Sequence, residues 1–177
     1  MSAEGLARIM SNTDEVCNDM ILAVGSDHAG YELKEELKPF ILSLGNEIVD
    51  AGCSGLETVD YPVIAEQVAL MVRRGEAGLG ILICGSGQGM AIVANKIPGI
   101  RAVVCNDEFS AKVAREHNDA NLLAFGARLV GKDQAEGIIK QFLSASFAGG
   151  RHQRRVDMIS EIEEKYLIQR GAIGGLY

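Results

Sequence analysis

From residue 21 onward, short and almost wholly apolar runs alternate with longer stretches of helical spacing. The short runs are ILAVGS (21–26), EIVDAG (47–52), LGILIC (79–84), IRAVVC (100–105) and NLLAFG (121–126). Between the first two lies YELKEELKPFILSLG (31–45), with Leu33, Leu37, Phe40, Ile41 and Leu44 at helical spacing. Further helical stretches occupy 63–74, 90–96, 108–118 and 132–147. Strands that are apolar on both faces, each followed by a helix, belong to a parallel sheet buried between helices. Right-handed crossovers then lead to an α/β fold, a three-layer αβα sandwich around a five-stranded parallel sheet, doubly wound and Rossmann-like. Such sheets take ligands beyond the carboxyl ends of their strands, near a switch in strand order.

The chain has 177 residues, 47% of them hydrophobic and 23% charged, which suits one compact domain, expected over 21–170. Residues 1–20 and 171–177 lack a periodic pattern and are expected to be a flexible extension and tail. The stretch RHQRRVDMISEIEEKYLIQR (151–170) is amphipathic, with Val156, Ile159, Ile162 and Tyr166 on one side, but no strand follows it. Its apolar stripe needs another surface, and a C-terminal dimerisation helix in a homodimer or tetramer supplies one. No apolar run approaches the ~18 residues of a membrane span. The N-terminus carries acids and no apolar core of a secretory signal, so the cytoplasm is the expected compartment. A net charge of −7 argues against nucleic acid as the main partner. An anionic ligand would need locally clustered positive charge.

The candidate chemistry sits at the strand ends. GSGQG (85–89) opens a helical segment, where backbone N–H groups suit an anion. Gly85 and Gly87 also match the start of a dinucleotide-binding GxGxxG, with Asp107 ending the next strand about 20 residues on. Against that, the third glycine position is Met90, and the loop follows the third strand rather than the first. Cys84 stands just before the loop, where the positive end of a helix favours thiolate and hence a base or nucleophile. Cys105 closes the next strand in the same way, as a small buried hydrophobe does. Among the four cysteines, Cys17, Cys53, Cys84 and Cys105, no pair has CxxC spacing, and reduced thiols are expected. The three histidines show no metal-ligand spacing.

Asp27 and His28 end the first strand; Asp27 is a candidate helix N-cap as well as a ligand-binding group. His117 and Asn118 close the fourth helix, where a cationic His also suits the C-terminus. Arg151, Arg154 and Arg155 open the last helix, where cations oppose the dipole unless an anion sits there.

SDHAG (26–30), VDYP (59–62), ICGSGQGMAIVANK (83–96), GIRAVVC (99–105), REHNDANLLAFGARLVG (115–131) and GGRHQRRV (149–156) follow one another in order. In these motifs the chain resembles type B ribose-5-phosphate isomerase, of the ribose/galactose sugar-phosphate isomerase family, over about 21–166. The resemblance implies an aldose–ketose isomerase that needs no cofactor and acts on a phosphosugar. It implies Cys84 as the base between C1 and C2 and His117 as the acid that opens the sugar ring. Gly85, Ser86, Gly87, Gln88 and Gly89 form the implied anion hole, with Ser86 on a substrate hydroxyl. Asp27, His28 and Asn118 bind substrate, and Arg128, Arg151 and Arg155 hold its phosphate, some from a neighbouring subunit. One family branch carries a glutamate base where this chain has Met90, which accepts no proton. A six-carbon sugar phosphate, a dinucleotide-binding module and a non-catalytic family member stand as the alternatives.

Overall fold

The structure, a computed structural model, describes residues 20–173, with side chains through residue 167. Five strands, β1 (Ile21–Ser26), β2 (Glu47–Asp50), β3 (Leu79–Cys84), β4 (Ala102–Val104) and β5 (Leu122–Gly126), alternate with α1 (Tyr31–Ser43), α2 (Tyr61–Arg73), α3 (Gln88–Ala94), α4 (Glu108–Asn118) and α5 (Lys132–Ser144). The helix α6 (Arg151–Ile173) closes the chain. All strand pairs are parallel, in the order β2-β1-β3-β5-β4.

Successive strand residues point to opposite faces, so each inner strand feeds two cores. Ile81 and Ile83 join Leu37, Ile41, Phe125, Ile138 and Phe142 on the α1/α5 side. Leu82 and Cys84 join Ile64, Val68, Met90 and Ala124 on the α2/α3 side. All six residues of β3 are buried. At ~25 cal/mol per Å² of apolar surface, the burial of this strand and of the helix faces packed on both sides of it holds the layers together.

Several element boundaries move: α1 ends at Ser43 rather than 45, β2 at Asp50 rather than 52 and α5 at Ser144 rather than 147. Helix α2 starts at Tyr61 rather than 63, because Pro62 fits the first turn, where no N–H is needed. Helix α3 starts at Gln88 rather than 90, directly after the left-handed Gly87. The fourth strand forms a ladder over Ala102–Val104 only, as an edge strand paired on one side with β5. The expectations placed on 1–20 and 171–177 lie outside the described residues, except for Met20 and for α6 continuing through Ile173.

The order places the switch between β1 and β3. From β1 the chain turns to β2 on one side and later crosses to β3 on the other, so the loops after β1 and β3 flank one crevice. Helix α6 packs against α4. Val156 is buried there, while Ile159, Ile162 and Tyr166 are exposed on this chain, together with Met158 and Leu167.

Candidate active site

The loop after β3 is shaped around a sulfur. Cys84 ends the strand opposite Gly126 of β5 and is buried. The Gly87 N–H turns back and donates to Cys84 Sγ at 3.1 Å. That turn needs φ of +78° at Gly87, a left-handed value that side chains disfavour. A Cβ there would also lie 2.8 Å from the Phe125 backbone, so glycine is required twice over. Gly126 is needed for the reciprocal reason, since its Cβ would sit 2.6 Å from Ser86 Cα. At Gly89 a Cβ would meet the Tyr61 ring at 2.8 Å.

The loop after β5 is bonded to the same turn. Ala127 N–H donates to Cys84 O at 2.8 Å, and Arg128 N–H to Gly85 O at 3.3 Å. These bonds bring the Arg128 guanidinium over Gly85, 3.4 Å from where a Cβ would be. On the other flank, Asp27 N–H donates to Ile83 O at 3.2 Å. Asp27 Oδ1 accepts from the N–H groups of Ala29 (2.9 Å) and Gly30 (3.1 Å). Asp27 thus caps the turn that precedes α1, whose own N-cap is Gly30. His28 Nδ1 accepts from Val59 N–H at 3.4 Å, tying the 51–60 loop to the crevice.

That loop has a buried anchor. Lys34, fully buried on α1, donates to both oxygens of Asp50 (2.7 and 2.6 Å) and to Cys53 O at 3.2 Å. Burial pushes the Asp50 carboxyl up, but hydrogen bonds from Lys34, Gly52 N–H and Lys38 outweigh it and hold the group below its ordinary value. Cys53 N–H in turn donates to Ser26 O at 3.0 Å, beside Asp27.

A second group gathers where α4 ends and α6 begins. The rings of His117 and His152 stack with centroids 4.2 Å apart and planes 5° from parallel. Arg151 Nε donates to His152 Nε2 at 3.3 Å. Burial, then the neighbouring charges of His117, Arg151 and Arg155, hold the His152 imidazole below its ordinary value, toward the neutral form that can accept that bond. Asn118 is the last residue of α4.

The structure therefore brings the predicted residues together in two sets. Asp27, His28, Cys84 to Gly89 and Arg128 surround the crevice; His117, Asn118, Arg151 and Arg155 lie at the α4–α6 junction. Among the described residues no hydrogen bond, ion pair or ring contact joins the two sets. Three residues escaped the sequence analysis. His152 and Tyr61 sat inside motifs valued for other positions, and Lys34 had the pattern of an ordinary helix-surface lysine. Among the described residues no group of three or more His, Cys, Asp or Glu could hold a metal ion, and no helix is long and apolar enough to cross a membrane.

A doubly wound α/β sheet with a thiol cradled by a glycine loop at its switch point defines a class of small-molecule site in which a proton and an oxyanion can be handled together. The model of the ribose/galactose isomerase family matches residues 22–159, and the chain belongs to that family. It is 49% identical to ribose-5-phosphate isomerase B of Escherichia coli over 144 residues, 81% of this chain and 97% of that protein. It is 41% identical over 143 residues to a galactose-6-phosphate isomerase subunit of Enterococcus faecalis, covering 81% of this chain and 99% of that one. The structure of Clostridium thermocellum ribose-5-phosphate isomerase B superposes with a TM-score of 0.82 at 52% identity, covering 83% of this chain and 99% of that one.

Proposed function

We propose that this protein interconverts D-ribose 5-phosphate and D-ribulose 5-phosphate. The observation that carries the reading is the Gly87 N–H directed at Cys84 Sγ, inside a loop that also presents further N–H groups, in a chain of this family. Cys84 as thiolate takes the proton from C2 of the open-chain aldose, and the electron pair moves through a C1–C2 double bond onto O1. The 85–89 loop, with Ser86 on a substrate hydroxyl, holds that enediolate oxygen. The thiol returns the proton to C1 while the hydroxyl proton passes from O2 to O1, which leaves the ketose. Each fixed donor aimed at such an oxygen is worth about 10²–10³ in rate. No step calls for a nicotinamide or a metal.

His117 donates the proton that opens the furanose ring. Asp27, His28 and Asn118 orient the hydroxyls, and Arg128, Arg151 and Arg155 hold the phosphate. Two observations favour a homodimer with shared sites, in which one subunit's crevice meets its partner's α4–α6 junction. Among the described residues no hydrogen bond, ion pair or ring contact joins the two sets within one chain, and the α6 stripe of Ile159, Ile162 and Tyr166 is exposed. The same reading places one isomerase domain over 21–170, in the cytoplasm. Relatives named for ribose 5-phosphate reach 49% and 52% identity, against 41% for the galactose-6-phosphate isomerase subunit, which favours the pentose.

The test is turnover of ribose 5-phosphate by the purified protein in EDTA without nucleotide, beside allose 6-phosphate and galactose 6-phosphate at equal concentration. Pentose turnover is the expected result. Faster turnover of either hexose phosphate would replace the substrate, and turnover of none would remove the isomerase. Light scattering that shows a stable monomer would remove the shared site.

A further inference from the structure

The end of α4 is held by an unusual device. Asp119, directly after His117 and Asn118, has φ of +46° and ψ of +45°, the sole positive φ outside glycine among the described residues. Glycine is the ordinary choice at such a helix end, because a side chain there costs strain. This side chain is instead forked between two arginines. Arg101 Nη2 donates to Asp119 Oδ2 at 2.7 Å, and Arg115 Nη1 to Asp119 Oδ1 at 3.0 Å.

The same guanidinium groups donate to the last carbonyl of α4 and to the two carbonyls just beyond it. Arg101 Nε donates to Asn118 O (3.1 Å) and Asp119 O (2.8 Å), and Arg115 Nη1 donates to Ala120 O (2.7 Å). Arg115 is itself wedged, with its guanidinium 5.7 Å from the Phe142 ring centroid and its Nε buried without a partner. Arg101 is fixed from its backbone, since its N–H donates to Asn121 Oδ1 at 2.8 Å. Backbone strain and a charged fork at Asp119, and a buried unsatisfied donor on Arg115 of the fork, coincide at the end of α4. A glycine cap would keep the backbone bonds that close the helix, Asp119 N–H to Arg115 O and Ala120 N–H to Ala114 O at 3.1 Å each, but not the fork.

We propose that Asp119, clamped by Arg101 and Arg115, is a positioning residue for the isomerase. It fixes the last turn of α4 so that His117 and Asn118 face the substrate in one orientation. The inference rests on the reading above that His117 acts on the sugar ring. Asp119 touches no substrate atom; it acts through the two residues before it.

The experiment is a double-mutant cycle in steady-state turnover of ribose 5-phosphate, run well below the melting temperature of every variant. Asp119→Gly accepts the left-handed φ but loses the fork; Asp119→Asn, which also tolerates that φ, replaces it if the glycine variant folds poorly. The expected result is a fall in kcat of about tenfold or more, since misplacing a reacting group by about 1 Å can cost 10²-fold. In a His117→Ala/Asn118→Ala background the same change costs less than about twofold, because both residues it positions are gone. Asp119→Gly with wild-type kcat overturns the proposal. So does the same loss in both backgrounds, which is what a merely structural role predicts. If His117→Ala alone turns over like the wild type, the role of His117 has failed instead, and the positioning role falls with it.

Discussion

Cys84 ends β3 and Cys105 directly follows β4, and nothing in their immediate sequence neighbourhood upstream separates ILIC from AVVC. What separates them is the backbone that follows. After Cys84 the chain runs through a left-handed Gly87, and that turn aims an N–H at Sγ. After Cys105 comes the N-cap of α4, where Asp107 Oδ1 takes the Ser110 N–H at 2.7 Å. Burial pushes the Cys105 thiol up, outweighing an opposing hydrogen bond from Ser110, and the Asp107 charge adds a smaller push in the same direction as burial. One thiol faces a donor that suits an anion; the other is kept neutral in an apolar core beside a carboxylate. Under the proposed function, the peptide units of the next turn are what would set a strand-end cysteine apart as a base.

The widest gap between the two is expected on truncation. Cys84→Ala should lower kcat by about 10³-fold, within the 10²–10⁴ that a positioned base contributes. Cys105→Ala should change kcat by less than about twofold while lowering Tm, since it removes a buried sulfur from the α1/α5 core. Steady-state kinetics on both variants checks this. Comparable activity losses would mean that the loop is not what distinguishes the thiols. Iodoacetamide labelling followed by peptide mass spectrometry sharpens the point, with Cys84 labelled and protected by ribose 5-phosphate and Cys105 inert.

Next comes the loop itself. Gly87→Ala forces a side chain into φ of +78° and a Cβ against the Phe125 backbone. The φ alone costs about 1–2 kcal/mol, and the clash adds to it. The turn is expected to relax by moving the 87 N–H off Sγ, so both kcat and the labelling rate of Cys84 should fall. Gly85→Ala is the control, because a Cβ there lies at 3.4 Å from the Arg128 guanidinium, which is the end of a flexible side chain. Its Tm should stay near that of the wild type. If Gly87→Ala labels at Cys84 as fast as the wild type, the N–H has no part in activating the thiol.

The parts of this molecule that were legible in its sequence are those set by local period. LGILIC and NLLAFG could only be buried strands, and EFSAKVAREHN became α4 at the expected residues. The order β2-β1-β3-β5-β4 was not legible, because β5 inserting between β3 and β4 is a matter of non-local pairing. IRAVVC looks like a six-residue strand, yet only Ala102–Val104 is laddered with β5. GSGQG showed its glycines but not which one carries the positive φ. His152 was hidden because its stacking on His117 depends on α6 docking on α4. Lys34 was hidden because its neutralising partner, Asp50, comes from another element. The roles of individual site residues came from the family resemblance, and geometry adds the hydrogen bond to Cys84 and the partition into two sets.

The smallest effect concerns Cys105 at alkaline pH, and its sign follows from the direction of the shift. The thiol lies above its ordinary value of 9.0 in the folded protein and returns toward it on unfolding. A group raised on folding binds its proton more tightly in the native state, so the stability it contributes is complete below about pH 9 and is lost as pH rises through the folded value. Cys105→Ala deletes that dependence along with the sulfur. The variant should melt below the wild type at pH 7, with the gap narrowing as pH is raised to about 10. Lysine and tyrosine titrations are common to both proteins and cancel in the difference. Melting curves at matched pH values decide the matter. A gap that stays constant would mean that Cys105 titrates as in the unfolded chain, and the contrast with Cys84 would then rest on the Gly87 hydrogen bond alone.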